Sequence, residues 1–279
     1  MMKETRAEHL AVEKLRPFGG HPFKVVDNEE MDQLVWSILT QGLLTPLVVR
    51  PLDNGEYEVI SGHRRLHACK KAGIETVPAL ITDMDRDAAA IALVDSNLQR
   101  EHILPSEKAY AYKLKLEAMN HQGRTSGQVG QKWTRDEIAE GESGRQVQRY
   151  IRLTNLIPGI LQKVDEGRIA LTPAVELSYL TDAEQEDLLE TMESEDCTPS
   201  LSQAIQMKAL SQSGQLDMDT IFHIMTQPKA NQQEKISFKV SELRDFFPRH
   251  YTAAQMMQEI KMALKERQQR LARQRDHSR

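Results

Sequence analysis

Cysteine, long apolar runs and net positive charge are all scarce in this 279-residue chain. Its two cysteines, Cys69 and Cys197, lie far apart and form neither a disulfide framework nor a metal-ligand spacing. No stretch approaches the ~18 uncharged apolar residues that a membrane span needs. The opening run MMKETRAEHLAVEKL is charged throughout and lacks the apolar core of a signal peptide. These absences give a cytoplasmic protein with no membrane partner as the expectation. Basic residues do not dominate either: 36 Lys and Arg against 41 Asp and Glu leave a net charge of −5. Taken alone, that balance excludes a histone-like polycation. An apolar share of 39% beside 28% charged residues suits a largely globular chain.

The average charge conceals a pattern along the chain. Residues 1–119 carry 15 basic and 18 acidic groups, and residues 120–180 carry 8 and 7. Residues 181–260 carry 6 and 14, whereas residues 261–279 carry 7 and 2. Such asymmetry marks separate functional segments.

Hydrophobic spacing supplies the elements. A short opening strand is expected from His9 to Leu15, then a Pro/Gly-rich loop to about residue 27. Met31, Leu34, Val35, Ile38 and Leu39 share one helical face, with Gly42 where a C-cap belongs. Leu47-Val48-Val49 and Glu56 to Ile60 read as strands joined at Asp53-Asn54-Gly55, a strong hairpin signal. A helix follows over RRLHACKKAG, closed by Gly73, and then a strand from Thr76 to Ile81 whose Pro78 argues for a place near a sheet edge. From Arg86 the chain reads as helical almost throughout. A helix over Ser106–Met119 is followed by a glycine-rich linker, His121 to Lys132. The fold class is therefore α+β: a small N-terminal unit, then an all-α region. The domains are read as 1–103, 104–180, an acidic helical segment 181–227, and a C-terminal region 228–279 with a basic helix.

The most informative stretch is YEVISGHRRLHACKKAG. A strand ends, Ser61-Gly62-His63 allows close backbone approach, and a helix opens on Arg64 and Arg65. Free amides at a helix N-terminus, its dipole and two guanidiniums together favour a di- or triphosphate. An exposed basic turn with surface salt bridges has the same composition.

The order PLVVR, YEVISGHRRLHACKKAGIETVPALI and NLQREHILPSEKAYAY resembles the N-terminal domain of ParB-type partition proteins, and the likeness spans about residues 8–180. It implies a ParB/sulfiredoxin-like nucleotide-binding fold followed by a helix-turn-helix domain. In that family a glycine–glutamate–arginine–arginine box holds the triphosphate of CTP. A glutamate–asparagine–x–x–arginine box holds Mg²⁺ and further phosphate. Carried over, Ser61, Gly62, His63, Arg64 and Arg65 form the first box, and Asn97 and Arg100 the second, with Asn97 the metal-side residue. The run SILTQGLLTP, with Gly42 and Pro46, matches the family's pocket-lining segment. Two carboxylates are replaced, by His63 and by Ser96. Mg²⁺ prefers hard anionic oxygen, so the expectation is nucleotide binding with slow or absent CTP hydrolysis. SGHRR also resembles the sulfiredoxin active-site loop, but Gly62 stands where that chemistry needs a cysteine. Cys69, about two turns on, reads as a packing residue. Transfer of phosphate to serine, as in a related subgroup, stays open.

A second site is WTRDEIAEGESGRQVQRYIRLTNL. Thr134 can cap a first helix, the Gly141–Gly144 region turns, and a second helix from Ser143 directs Val147, Ile151 and Tyr150 inward. Arg145, Gln146, Gln148, Arg149 and Arg152 are left outward, and these residue types suit base edges and phosphates. That is a helix-turn-helix reading helix, or a solvated basic face of a bundle. The tail from Lys261 carries Ile260, Leu264, Arg267 and Leu271 on one stripe; it fits DNA phosphates, a second chain or solvent. The acidic block Asp182–Asp196 fits a solvated helix face, or a surface that docks the tail. The expected function is sequence-specific binding of double-stranded DNA in plasmid, integrative-element or chromosome partition, as a nucleoid-associated homodimer with CTP as a switch and a ParA-type ATPase partner. A nucleotide-independent transcriptional regulator and a sulfiredoxin-fold phosphotransferase are the alternatives.

Overall fold

The computed structural model describes residues 5–100, 102–125, 142–227, 243–248 and 250–277. The chain forms two compact units, 1–227 and 228–279.

The first unit opens with a five-stranded sheet of order β1-β5-β3-β4-β2. Its strands are β1 (Thr5–Ala11), β2 (Leu15–Pro17), β3 (Leu47–Pro51), β4 (Tyr57–Ser61) and β5 (Thr76–Thr82). β1 runs antiparallel to β5, β5 parallel to β3, β3 antiparallel to β4, and β4 parallel to β2. The expected opening strand is thus two strands at opposite edges, separated by a 3₁₀ turn at Val12–Lys14. β1 is exposed along Thr5–His9 and carries alternating charge, which blunts a sheet edge. β5 lies one strand in from the edge. Pro78 faces His9 of β1, and β3 begins only at Leu47 opposite Ala79. The missing N–H therefore falls where β5 has no β3 residue beside it. The β3–β4 hairpin turns at Asp53-Asn54-Gly55 with Gly55 at φ 79°, and Leu52 N–H donates to Glu56 O at 2.8 Å.

Period-two alternation gives the sheet two apolar faces. Val49, Val59, Val77, Ala79 and Ile81 face one way, against α1 (Glu29–Gln41) and α2 (His63–Lys71), where Met31, Ile38, Leu66 and Cys69 are buried. Val48 and Ile60 face the other way, against α3 (Arg86–Leu98) and α4 (Pro105–Thr125). α1 is capped by the Asn28 side chain and ends on Gly42 at φ 74°. α4 continues through Thr125, so the first residues expected in the linker are helical; residues 126–132 lie outside the described chain.

α4 also joins the sheet to a helical bundle. Ala111 and Ala118 pack toward α3, Tyr112 packs with Val147, and Ala109 enters the bundle core. The bundle comprises α5 (Gly144–Arg152), α6 (Pro158–Asp165), α7 (Leu171–Leu177), α8 (Asp182–Ser194), α9 (Leu201–Gln212) and α10 (Met218–Thr226). α8 opens on a capping box formed by Thr181 and Glu184. It buries Leu188 and Met192 and leaves Asp182, Glu186, Glu190 and Glu193 exposed. Gln185, fully buried, accepts from Ile157 N–H at 2.9 Å and donates to the carbonyls of Asn155 and Leu180, both at 3.0 Å. Those bonds satisfy backbone groups that burial would otherwise strand. In the second unit, a 3₁₀ turn at Arg244–Phe246 precedes α11 (Ala253–His277), whose Leu264 is 58% exposed.

Candidate nucleotide cleft and nucleic-acid face

Two helix ends meet at one cleft. β4 delivers Ser61 to the sheet's C-terminal end, and α2 starts at once, with Gly62 as its N-cap at φ 104°. A β-carbon there would meet Leu47 Cδ2 at 2.5 Å, so the turn requires glycine in both conformation and space. From the other side, the C-terminal end of α3 brings Ser96, Asn97 and, just beyond it, Arg100. These groups enclose a cleft of about 170 Å³ together with His21, Phe23, Lys24 and Val25.

Six of the seven residues read from the sequence as phosphate-binding line this cleft: Ser61, Gly62, His63, Arg64, Asn97 and Arg100. Arg65 is placed behind it. Its half-buried guanidinium donates to the Thr45 carbonyl and to the Pro46 carbonyl at 2.9 Å, clamping the α1–β3 loop. Gly42 and Pro46 likewise sit outside the lining, one as the α1 cap and the other as a carbonyl acceptor for Arg65. The pocket wall that the sequence reading missed is the loop from Phe18 to Asn28. Three contacts from distant elements hold it: Gly19 N–H donates to Glu58 Oε1 at 3.0 Å, Phe18 N–H to His63 Nε2 at 3.3 Å, and Lys24 N–H to Glu107 Oε1 at 2.8 Å. The available signal was compositional, since His21, Phe23 and Lys24 are more apolar and basic than a plain connector requires.

The electrostatics are one-sided. Lys24, Arg64 and Arg100 are the cations of the lining, and no carboxylate lines the cleft among the described residues. Arg64 pairs at the rim with the exposed Glu30 at 3.0 Å. The two imidazoles are neutral. His63 accepts from Phe18 and bonds the Val59 carbonyl; burial, with His21 beside it, lowers its pKa to about 3. His21 lies against it with ring centroids 3.8 Å apart and the rings tilted by 45°, and donates through Nδ1 to Phe23 O at 2.7 Å; burial lowers its pKa too. His63 therefore acts as a hydrogen-bonded pin at the start of α2 rather than as a charge.

The donor set fits phosphate better than a metal ion. That fit comes from Lys24, Arg64 and Arg100; the Asn97 amide nitrogen and the Ser96 hydroxyl are engaged instead by Leu93 O, at 2.8 and 2.9 Å. Asp95, the nearest acid to the missing box carboxylate, turns to α4 and pairs with Lys115 at 2.6 Å. The described residues hold no group of three metal-ligating side chains. Cys69 is fully buried against the sheet, and burial raises its thiol pKa. It offers the cleft no nucleophile.

The second candidate face is α5. Ser143 caps it, accepting from Gln146 N–H at 3.3 Å. Val147 is fully buried, and Tyr150 and Ile151 pack beside Tyr112 and Met119 of α4. Arg145 is exposed, and Gln146 and Gln148 are half-buried. Arg149 donates to Thr172 Oγ1 at 2.5 Å. Arg152 is more deeply engaged: it donates to Ser178 O at 2.8 Å and lies 3.8 Å from the centroid of the Tyr179 ring. Lys208 lies 3.7 Å from the same centroid, so the ring takes two cations. Trp133, Thr134 and Gly141, read as the preceding helix and turn, lie outside the described residues.

The ParB N-terminal domain family matches residues 1–98. A probable chromosome-partitioning protein ParB from Vibrio cholerae is 30% identical over 247 residues, covering 88% of this chain and 80% of that protein. The chromosome-partitioning protein Spo0J of Thermus thermophilus is 36% identical over 181 residues, covering 64% of this chain and 61% of its own. Among solved structures, a C-terminally truncated ParB from Caulobacter crescentus complexed to the centromeric parS site aligns with 74% of this chain and 99% of its own, at 23% identity and TM-score 0.43.

Proposed function

Because this chain belongs to the ParB family, we propose that it is a sequence-specific DNA-binding partition factor whose cleft holds a nucleoside triphosphate, with CTP as the expected one. The observation that carries the nucleotide half is the cleft itself. Residues some 75 positions apart, from Lys24 to Arg100, meet there as three cations at the N-terminus of α2, with no carboxylate among the described lining. A triphosphate brings the negative charge that this arrangement lacks, and the first amides of a nine-residue helix are free to receive it. Arg64 and Arg100 would grip phosphate, and Asn97 would line the site beside them. His63, neutral and pinned, would orient the helix start.

Hydrolysis is a separate matter. With His63 and Ser96 in place of carboxylates and Asp95 turned away, the lining offers no side-chain anion for Mg²⁺ or for activating water. We therefore expect nucleotide binding with slow or absent turnover. The nucleotide would act as a switch, limited by its differential affinity for two conformers.

The DNA half rests on α5, which presents Arg145, Gln146, Gln148 and Arg149, with Arg152 at its end. A homodimer on a two-fold DNA site and a ParA-type ATPase partner are part of the same reading. Partition rather than transcriptional regulation is tested by titrating CTP, ATP and GTP with and without Mg²⁺, then crosslinking the N-terminal unit across protomers. CTP binding that changes the crosslink supports the switch; neither effect favours the nucleotide-independent regulator. A DNA pull-down separates both from a phosphotransferase, which has no use for Arg145 or Arg149.

A further inference from the structure

We infer that Lys24 is a third phosphate-gripping cation of the cleft, and that Asp165 of the helical bundle competes with the ligand for it. The inference rests on the nucleotide reading above. Lys24 lines the cleft together with Val25, Arg64 and Arg100. Its backbone is fixed, because its N–H donates to the buried Glu107 at 2.8 Å, and Glu107 also accepts from Leu104 N–H at 3.1 Å. Its side chain is not fixed. It is 63% exposed and reaches Asp165 Oδ2 only at 3.5 Å.

Asp165 is the last residue of α6, and its side chain is 9% exposed. It does not depend on Lys24. Ser106 donates to it twice, from N–H at 2.9 Å and from Oγ at 2.6 Å. When Lys24 leaves, the carboxylate keeps two hydrogen bonds and is not stranded, so the exchange costs little. A phosphate in the cleft offers Lys24 a more highly charged partner than a carboxylate shared with Ser106. The first turn of α4 thus holds both ends of the device: Glu107 anchors the pocket loop, and Ser106 anchors α6. Occupancy of the cleft then alters the one ion pair, among the described residues, that directly links the pocket loop to the bundle carrying α5.

Titration of the full chain with CTP, and with inorganic tripolyphosphate as a base-free probe, tests this. Lys24→Gln is expected to weaken both ligands roughly tenfold, and Lys24→Arg to restore them to within about twofold. Asp165→Asn is expected to tighten both severalfold by removing the competitor, and that gain disappears in the Lys24→Gln, Asp165→Asn double variant. Should Asp165→Asn lower the melting temperature, the Lys24 pair still decides, since neither Lys24 variant disturbs the Ser106 hydrogen bonds. Lys24→Gln binding like the parent while Arg64→Ala abolishes binding overturns the inference and leaves the site standing. Failure of the parent itself to bind either probe overturns the nucleotide reading instead.

Discussion

Gly62→Ala is the sharpest single perturbation of the cleft, because two independent terms oppose it. At φ 104° an L-residue is strained by roughly 1–2 kcal/mol. The new methyl also lands 2.5 Å from Leu47 Cδ2 and 3.1 Å from Arg65 Nη2. Leu47 is fully buried in the sheet core, so it has little room to yield; overpacking of this kind costs about 1–3 kcal/mol. Arg65 could retreat only by loosening its hold on the Thr45 and Pro46 carbonyls. Together the terms come to about 2–5 kcal/mol, which in a unit of this size lowers the melting temperature by roughly 5–15 °C. If the chain instead relaxes Gly62 toward ordinary backbone angles, the first amides of α2 swing out of the cleft and nucleotide affinity falls. Thermal denaturation followed by circular dichroism, paired with a CTP titration, reads both routes. A Gly62→Ala protein that melts within about 1 °C of the parent and binds nucleotide equally well would show that the turn does not require glycine.

Four further outcomes are expected. The adjacent arginines should separate cleanly. Arg64→Ala lowers nucleotide affinity with little change in melting temperature, whereas Arg65→Ala destabilises by about 1–3 kcal/mol in denaturant titrations through its lost carbonyl contacts. Stability should fall in acid through His63. Its folded pKa of about 3 lies below the ordinary 6.5, so the unfolded chain binds the extra proton between those values. Its contribution is complete above pH 6.5 and declines as pH drops, by about 2 kcal/mol at pH 5; His63→Asn should flatten that limb of a pH–stability profile. On α5, Arg145→Ala should reduce the slope of log affinity for DNA against log salt by about 1, as loss of a phosphate contact does. Tyr179→Ala should weaken DNA binding through the Arg152 stack without changing that slope.

Much of the N-terminal architecture was legible because it is written in local signals. The α1 face from Met31 to Leu39, the glycine caps at Gly42 and Gly73, and the Asp53-Asn54-Gly55 turn each depend on neighbours in sequence. The two boxes were read from a family resemblance, and the fold brings Ser61, Gly62, His63 and Arg64 together with Asn97 and Arg100 at one cleft. What stayed hidden depends on tertiary partners. The Phe18–Asn28 loop becomes a pocket wall only because Glu58, His63 and Glu107, from three different elements, fix its backbone. The opening strand divided because the Val12–Lys14 turn sends β2 to the far edge, a register choice that a single strand pattern does not encode. Arg64 and Arg65 look equivalent as letters, but a 100° step around the helix sends one to the cleft and the other to a loop.

On the proposed reading, the three-cation cleft binds a nucleoside triphosphate through phosphate contacts that do not depend on a side-chain carboxylate. Isothermal titration of the full chain with CTP, in Mg²⁺ and again in EDTA, decides this. Saturable binding that persists in EDTA and vanishes in Arg64→Ala, with no phosphate released over the same period, is the predicted result. No binding at millimolar CTP, or brisk hydrolysis that Arg64→Ala abolishes, would contradict it.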